Sequence, residues 1–314
     1  MKIAIMGAAG FVGTNLAIAL LRSDYVSDDI TKLVLVDEKT EYFDSNPIKN
    51  EERVKIVTRN FQPNTNFSDL VEDMDMVFHL ISTTNPTISN QHISDEITVN
   101  VAVTVNLLEA CAEKKVRRIV FISSGGTVYG NAPCPIPETA NTNPINTYGI
   151  QKLAIEKLLY VYHYLYGLDY RIARLSNPYG PYQRPNGRLG AVTTFTNRAL
   201  KGETIQVYGD GSVVRDYIYI EDAIRAILNI SFCDCKYKIY NIGSGIGTSI
   251  QEVLKEIRKI VTENLQIHFT PGRSVDLSKN YLNIQRYEDE FGEIAITGLR
   301  EGIRKTQHFL KRTI

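Results

Sequence analysis

The sequence predicts an α/β protein in which a doubly wound parallel sheet is joined to a smaller, partly interleaved C-terminal domain. Three observations predict it. Strand-like and helix-like segments alternate from residue 2 to residue 175. Several strand segments are continuous apolar runs, as in Leu33-Val34-Leu35-Val36, which suits strands covered on both faces. The alternation stops at Asn177-Pro178-Tyr179-Gly180-Pro181, a stretch dense in turn formers.

Taken in order, the expected strands of the first half are Lys2–Met6, Lys32–Val36, Val54–Thr58, Met76–Ile81, Arg118–Ser123 and Tyr170–Leu175. The expected helices are Phe11–Arg22, Phe67–Glu72, Thr98–Lys114 and Asn146–Tyr166. In the second half, Ala191–Lys201, Glu221–Ile230, Ile250–Thr262 and Leu299–Phe309 read as helices. Tyr237–Ile242 reads as a strand able to return to the first sheet. The expected domains are residues 1–176 and 177–314, with a segment near 237–243 rejoining the first.

Lys+Arg and Asp+Glu both total 35, so no net charge draws the chain to nucleic acid or to an anionic membrane. Any anionic ligand must be held locally. The first residues run straight into a strand that ends at a glycine, unlike a signal peptide, and no uncharged apolar run approaches a membrane span. A cytoplasmic protein is the expectation. Of the four cysteines only Cys233 and Cys235 lie close together, without the partner pair of a zinc site, so free thiols and no metal are expected.

Gly7-Ala8-Ala9-Gly10-Phe11-Val12-Gly13 follows a strand and opens a helix. Glycine permits the tight turn, the backbone can approach a pyrophosphate, and the helix N-terminus favours its charge. Asp37 ends the second strand, where a carboxylate accepts hydrogen bonds from ribose hydroxyls and repels a 2′-phosphate, which favours NAD over NADP. Tyr148 and Lys152 are four residues apart and share one helix face. A tyrosine titrates near ~10 in water, and the ammonium, with the positive nicotinamide of NAD⁺, is expected to favour its phenolate. A dinucleotide beside such a phenol is equipment for moving a hydride and a proton together.

In this order the two motifs resemble the extended short-chain dehydrogenase/reductase family, and within it the nucleotide-sugar epimerases and dehydratases. The resemblance covers nearly the whole chain. It implies a Rossmann fold with NAD held by Gly7, Gly10, Phe11, Val12, Gly13 and Asp37. It also implies cofactor contacts at Asn60 and Phe61, at Leu80 and Ser82, and at Asn100, Ser123, Tyr148 and Lys152. Asn60 stands where the family has Asp, and Ile81-Ser82 where two alanines are usual. His79, within an apolar strand, reads as a core histidine. Tyr148 is the implied acid/base, and Lys152 its electrostatic tuner and a ribose ligand.

Ser124-Gly125-Gly126-Thr127 departs from the family, which has Ser or Thr at the Gly125 position to bridge the tyrosine and a sugar hydroxyl. Ser124, Thr127 or a water in the space left is expected to complete the relay. The segment also lacks the Asp-Glu pair of related dehydratases and the Glu of related decarboxylases. What remains is 4-epimerisation of a nucleotide sugar through a transient 4-keto sugar, with UDP as the family's commonest carrier and NAD recycled at every turnover.

On the substrate side, Arg174–Pro181 resembles the family's R-x-x-N-x-Y-G-P, Tyr208–Tyr217 its G-D-G…R-D-Y block, and Pro271–Asp276 its P-G-R-x-x-D. These imply substrate contacts at Thr127, Tyr148, Asn177, Val192, Gln206, Tyr208, Arg215, Arg273 and Asp276. The planar fork of an arginine suits a diphosphate. Asn280 falls where related epimerases limit room at the sugar 2-position. Tyr160, Tyr162, Tyr164 and Tyr166 read first as core residues; in the family, this helix and Thr98–Lys114 pair with their copies in a homodimer. Two rivals stay open: a nucleotide-sugar reductase or dehydrogenase with net cofactor turnover, and a regulatory protein that binds NAD and nucleotide sugars without chemistry. The identity of the sugar is not legible.

Overall fold

The computed structural model describes residues 1–22, 29–44, 46–82, 93–185, 190–272, 277–294 and 296–313. In the first half, strands β1 (Lys2–Met6), β2 (Lys32–Asp37), β3 (Val54–Thr58), β4 (Met76–His79), β5 (Arg118–Ser124) and β6 (Asp169–Leu175) are interspersed with helices. These are α1 (Phe11–Leu20), α2 (Ser68–Val71), α3 (Ile93–Ile97), α4 (Val103–Glu113) and α5 (Thr147–Tyr166). The second half adds β7 (Asn177–Tyr179), β8 (Ile205–Tyr208), β9 (Val214–Tyr219), β10 (Ile239–Ile242), β11 (Gly247–Ser249), β12 (Ile267–Thr270) and β13 (Lys279–Asn280). Its helices are α6 (Ala191–Lys201), α7 (Ile220–Phe232), α8 (Ile250–Ile260), α9 (Gln285–Phe291) and α10 (Leu299–Thr313).

Seven strands form one sheet in the order β10-β6-β5-β4-β1-β2-β3. The pairings from β3 through β2, β1 and β4 to β5 are parallel. This is the Rossmann order extended by β10, and the strand order reverses between β1 and β4. Apolar runs became fully buried strands: Ile3, Ala4, Ile5 and Met6 of β1 have no exposed surface. On one face of the sheet, Ala4, Val77 and Phe121 share a core cluster with Leu107 and Cys111 of α4 and with Ile155 and Leu159 of α5. Each such aliphatic side chain contributes about 1.5–3 kcal/mol by burial.

Helix α5 is delimited at both ends. The Asn146 side chain accepts a hydrogen bond from the Gly149 N–H at 2.8 Å, and Gly167 closes the helix at φ 72°. Its buried positions include Gln151, Lys152, Ile155, Glu156, Leu159 and Tyr162, a stripe with helical period that faces the core. The single helix expected at Thr98–Lys114 is instead a π-helical turn over Thr98–Ala102 continued by α4, with α3 before it. Within it the Asn100 amide donates to the Glu96 carbonyl and the Thr104 hydroxyl to the Asn100 carbonyl.

The remaining strands are short. β9 pairs with β11, β13 and β7, and β12 pairs with β8. Runs of two to six residues carry too little periodicity to be read from sequence, which is why these strands were not expected. The chain divides into two compact units. The first comprises Met1–Val128, Pro144–Arg174 and Ile227–Tyr240; the second comprises Tyr129–Asn143, Leu175–Ala226 and Asn241–Ile314. Each is therefore assembled from three stretches of the chain.

Cys233 and Cys235 form a disulfide, which corrects the expectation of free thiols there; a separation of two residues brings their Cα atoms to 5.2 Å, within disulfide reach. Cys111 and Cys134 are free. Among the described residues no helix is long and apolar enough to cross a membrane.

Candidate active site

In the first unit the glycine-rich turn sits at the end of β1. Gly7 has φ 83°, and a Cβ there would lie 2.9 Å from the Leu80 carbonyl carbon, so only glycine lets the turn close against the end of β4. A Cβ on Gly13 would lie 2.6 Å from the Ala8 carbonyl oxygen, which holds the first turn of α1 against the loop. Gly10 differs. A Cβ there would meet nothing nearer than the Gly7 carbonyl oxygen at 3.5 Å, so packing does not require the glycine. Gly10 is also the N-cap of α1 and supplies no side-chain cap. What its bareness leaves is room above a helix N-terminus, the arrangement a pyrophosphate needs, so the loop fits a dinucleotide.

The other expected cofactor residues divide into those that present side chains and those that do not. One carboxylate oxygen of Asp37 accepts the Ala9 N–H and the other the Glu38 N–H, both at 2.8 Å, so this residue ties the loop in place. Its remaining lone pairs face no such demand and suit ribose hydroxyls. Asn60 is exposed, whereas the Phe61 ring stacks on Phe67 in the core, leaving only its backbone for a ligand. Phe11 and Val12 open α1, Leu80 is half-buried, and Ser82 is exposed. Asn100 is buried in the π-helical turn.

The Ser123 hydroxyl donates to Glu156. Glu156 and Arg174, to which sequence reading gave no role in chemistry, form a buried pair through two bonds, Nε–Oε1 at 3.0 Å and Nη2–Oε2 at 2.6 Å. A charged residue four positions after Lys152 on the apolar face of the helix was the signal that could have found it.

The Lys152 ammonium donates to the Ile122 carbonyl at 2.9 Å and lies 4.7 Å from the Phe121 ring centroid and 5.6 Å from that of Tyr148. Burial lowers its pKa to about 8, with Glu156 acting in the opposite sense. Burial also pushes Tyr148 up to about 12. The expected lowering was for the phenol beside both Lys152 and a bound NAD⁺; in the protein by itself burial acts in the opposite sense. Beneath them, the His79 ring bonds the Thr104 hydroxyl at 2.9 Å. That hydroxyl donates to Asn100, so His79 Nε2–H is the donor and its Nδ1 is left without a partner among the described residues. Burial, reinforced by the Lys152 charge, lowers His79 to about 3.

The turn after β5 brings the hydroxyls in. The Ser124 carbonyl accepts the N–H groups of Thr127 and Val128. A Cβ on Gly149 would lie 2.8 Å from the Thr127 carbonyl oxygen, so glycine allows the start of α5, and with it Tyr148, to abut this turn. Ser124 is half-buried. The Thr127 hydroxyl is buried and has no hydrogen-bond partner among the described residues.

In the second unit, Asn177 on β7 donates to the Asp216 carbonyl at 3.0 Å, and Arg215 on β9 donates to the carbonyls of Val214 and Leu277. Gln206 and Tyr208 share the exposed face of β8. Val192 is fully buried, so its side chain is a packing element. Asn280 is paired in register with Arg215, and both polar atoms of its buried amide lack partners among the described residues. Arg273 and Asp276 lie outside the described residues. Sequence reading missed Asp216 as a hub. This buried carboxylate accepts bonds from the Ser244 N–H and hydroxyl, both at 2.7 Å, and from the N–H groups of Gly245 and Leu282.

A Rossmann sheet with a bare glycine loop at its switch point and, on α5, a Tyr–Lys pair whose lysine is buried defines a class of dinucleotide-dependent enzymes. The chain belongs to the NAD dependent epimerase/dehydratase family, whose model matches residues 3–243. It is 32% identical over 317 residues to the UDP-glucose 4-epimerase of Mycolicibacterium smegmatis, covering 99% of each chain. Among solved structures it is similar to the UDP-glucose 4-epimerase of Thermotoga maritima with UDP-glucose, at 29% identity and a TM-score of 0.88 over 100% of this chain and 99% of that one. It is also similar to the UDP-glucuronic acid 4-epimerase of Bacillus cereus in complex with UDP-glucuronic acid and NAD, at 27% identity and a TM-score of 0.87 over 100% of both.

Two outcomes follow from this geometry. Gly13→Ala should lower stability in urea titrations by about 1–3 kcal/mol, because its neighbours are backbone. Gly10→Ala should keep the wild-type midpoint yet weaken NAD binding, read by calorimetry, roughly tenfold or more, the equivalent of about 1.4 kcal/mol.

For His79 the folded pKa lies below the ordinary 6.5, so the unfolded chain takes up the proton first as pH falls. Stability is then full above pH 6.5 and drains away towards pH 3. Urea unfolding at pH 5 should show a loss of about 2 kcal/mol relative to pH 7 from this group, and His79→Asn should remove that part of the difference.

Proposed function

We propose that this protein catalyses 4-epimerisation of a UDP-linked sugar, with Tyr148 as acid/base. The observation that carries the reading is the buried Thr127 hydroxyl, without a partner among the described residues, on the turn that the start of α5 abuts. A sugar 4-hydroxyl bridged by Thr127 would satisfy that oxygen and lead to the Tyr148 phenol. Ser124 is the weaker candidate for the bridge, because it is not a buried group awaiting a partner. Residues 124–127 contain no carboxylate for eliminating water or for decarboxylation, which favours epimerisation over those reactions.

Tyr148 takes the proton of the 4-hydroxyl and later gives it back. Lys152, anchored on the Ile122 carbonyl, keeps a positive charge by the Tyr148 ring. The glycine loop and Asp37 would hold the dinucleotide, and Asn177 and Arg215 the substrate diphosphate. Bound NAD supplies a reversible hydride acceptor at the sugar carbon and a positive nicotinamide that opposes the effect of burial on Tyr148. UDP as the carrier is supported by the ligands of the similar Thermotoga maritima and Bacillus cereus proteins.

The purified protein with catalytic NAD⁺ and UDP-glucose, UDP-N-acetylglucosamine or UDP-glucuronate should yield a 4-epimer by proton NMR without net NADH. Tyr148→Phe should lower kcat by about 10²–10⁴-fold, and Thr127→Val by roughly 10–100-fold, with Ser124→Ala near wild type. Net NADH or an accumulating reduced sugar would favour a dehydrogenase or reductase instead. Nucleotide-sugar binding without turnover would favour the regulatory reading.

The family's homodimer is the proposed assembly. Tyr160 and Tyr164 on α5 are 58% and 77% exposed, and Val161 and Leu165 are exposed with them, while Tyr162 alone of the four tyrosines is buried. Apolar surface grouped in this way marks an interaction face. Light scattering at micromolar concentration should give twice the 35.4 kDa chain mass, and Tyr164→Glu should shift it to the monomer.

A further inference from the structure

We propose that Glu156 is a positioning residue for the reaction: a buried carboxylate, clamped by Arg174 and Ser123, that holds Lys152 in its charged form behind Tyr148. This rests on the reading of Tyr148 and Lys152 given above and names the group that makes it work.

Three pieces of geometry point to it. Lys152 and Glu156 are one turn apart on the buried stripe of α5. They reach consecutive residues of β5, the ammonium bonding the Ile122 carbonyl and the carboxylate receiving the Ser123 hydroxyl. The carboxylate is fixed from the other side by the two-point contact with Arg174 on β6. Three donors thus converge on one buried carboxylate, two of them from a cation.

Among the described residues around Lys152, Glu156 is the group whose charge opposes the effect of burial. From β4 comes His79, which burial and Lys152 keep neutral. From β5 come the Phe121 ring and the Ile122 carbonyl. From β6 comes the Arg174 cation, which is committed to Glu156. From the α3 and π-helical segment come Glu96, which bonds Gln151, and Asn100. On α5 itself there is Tyr148, a protonated phenol at neutral pH. Glu156 is the anion on Lys152's own face, and its field opposes the effect of burial on the ammonium. Burying an amine beside a phenol would otherwise discharge it in the pH range where the enzyme must work.

The test titrates Lys152 directly. In full-length protein carrying lysine labelled with ¹³C at Cε, the Lys152 resonance is assigned by its loss in Lys152→Met. Wild type should titrate near pH 8, and Glu156→Gln should titrate about one unit lower or more. Should that variant fold poorly because Arg174 is stranded, Glu156→Gln/Arg174→Met removes both charges together and should shift Lys152 in the same direction by less. In epimerase assays the basic limb of the kcat–pH profile should move with the resonance, KM should stay within about twofold, and activity near pH 6 should approach wild type, since Lys152 is protonated there in either protein. An unmoved Lys152 titration, or a loss of kcat equal at all pH values, overturns the proposal and leaves Glu156 a structural ion pair. A resonance that moves while the kcat profile stays fixed upholds the action of Glu156 on Lys152 and overturns instead the role given to the Lys152 charge.

Discussion

A buried ammonium beside a phenol is the constraint on which the rest of the first unit depends. Taking one charge out of water carries a penalty of several kcal/mol after relaxation. The structure offsets it with short-range partners: the Ile122 carbonyl and two aromatic faces. These partners exist only if α5 lies close to the end of β5. Gly149 permits that approach, and Asn146 fixes where the helix begins. The same burial has side effects on each neighbour. It pushes Tyr148 up, keeps His79 neutral, and leaves Glu156 in need of three donors. One placement thus accounts for four perturbed or saturated groups that would look unrelated if taken singly.

The glycine loop follows a separate logic in which each glycine answers to a different atom. Gly7 yields to the backbone of β4 and Gly13 to the loop's own carbonyls. Those two are demands of the fold. Gly10 yields to nothing in the protein. Asp37 ties the loop through Ala9 before any ribose is present, so the carboxylate expected to read the ligand also shapes the place where the ligand goes. Preorganisation of this kind lowers the ordering that binding would otherwise require.

Much of this was legible in the sequence, for identifiable reasons. Parallel strands covered on both faces read as apolar runs, and a glycine loop between strand and helix has few other uses. The return of β10 to the sheet was visible because Ile239–Ile242 is apolar and follows a helix. Other features leave no trace in spacing. A π-helical turn at Thr98–Ala102 shifts the helix face without breaking the apolar pattern. A glutamate on a helix reads as solvated until its face is known to be buried, so Glu156 was missed. The opposing effect of burial on Tyr148 was not legible, because a four-residue interval reports proximity but not depth. The short strands that carry Asn177, Arg215 and Asn280 depend on contacts between segments far apart in sequence, and no local pattern announces those.

Charged and neutral groups are treated differently in both units, and the difference has a physical reason. Two buried carboxylates are saturated: Glu156 by Ser123 and Arg174, and Asp216 by Ser244, Gly245 and Leu282. Among the groups that lack partners within the described residues, two neutral ones stand at expected site positions, the Thr127 hydroxyl in one unit and the Asn280 amide in the other. Leaving a buried neutral donor or acceptor unpaired costs about 1–3 kcal/mol, and leaving an ionised one costs considerably more. Against a total margin of about 5–15 kcal/mol, an unpaired neutral group is the smaller load. Ligand-facing hydrogen bonds are therefore best held open by hydroxyls and amides. Charges belong where their partners are already present in the fold, and here that is one step behind the proposed reacting groups.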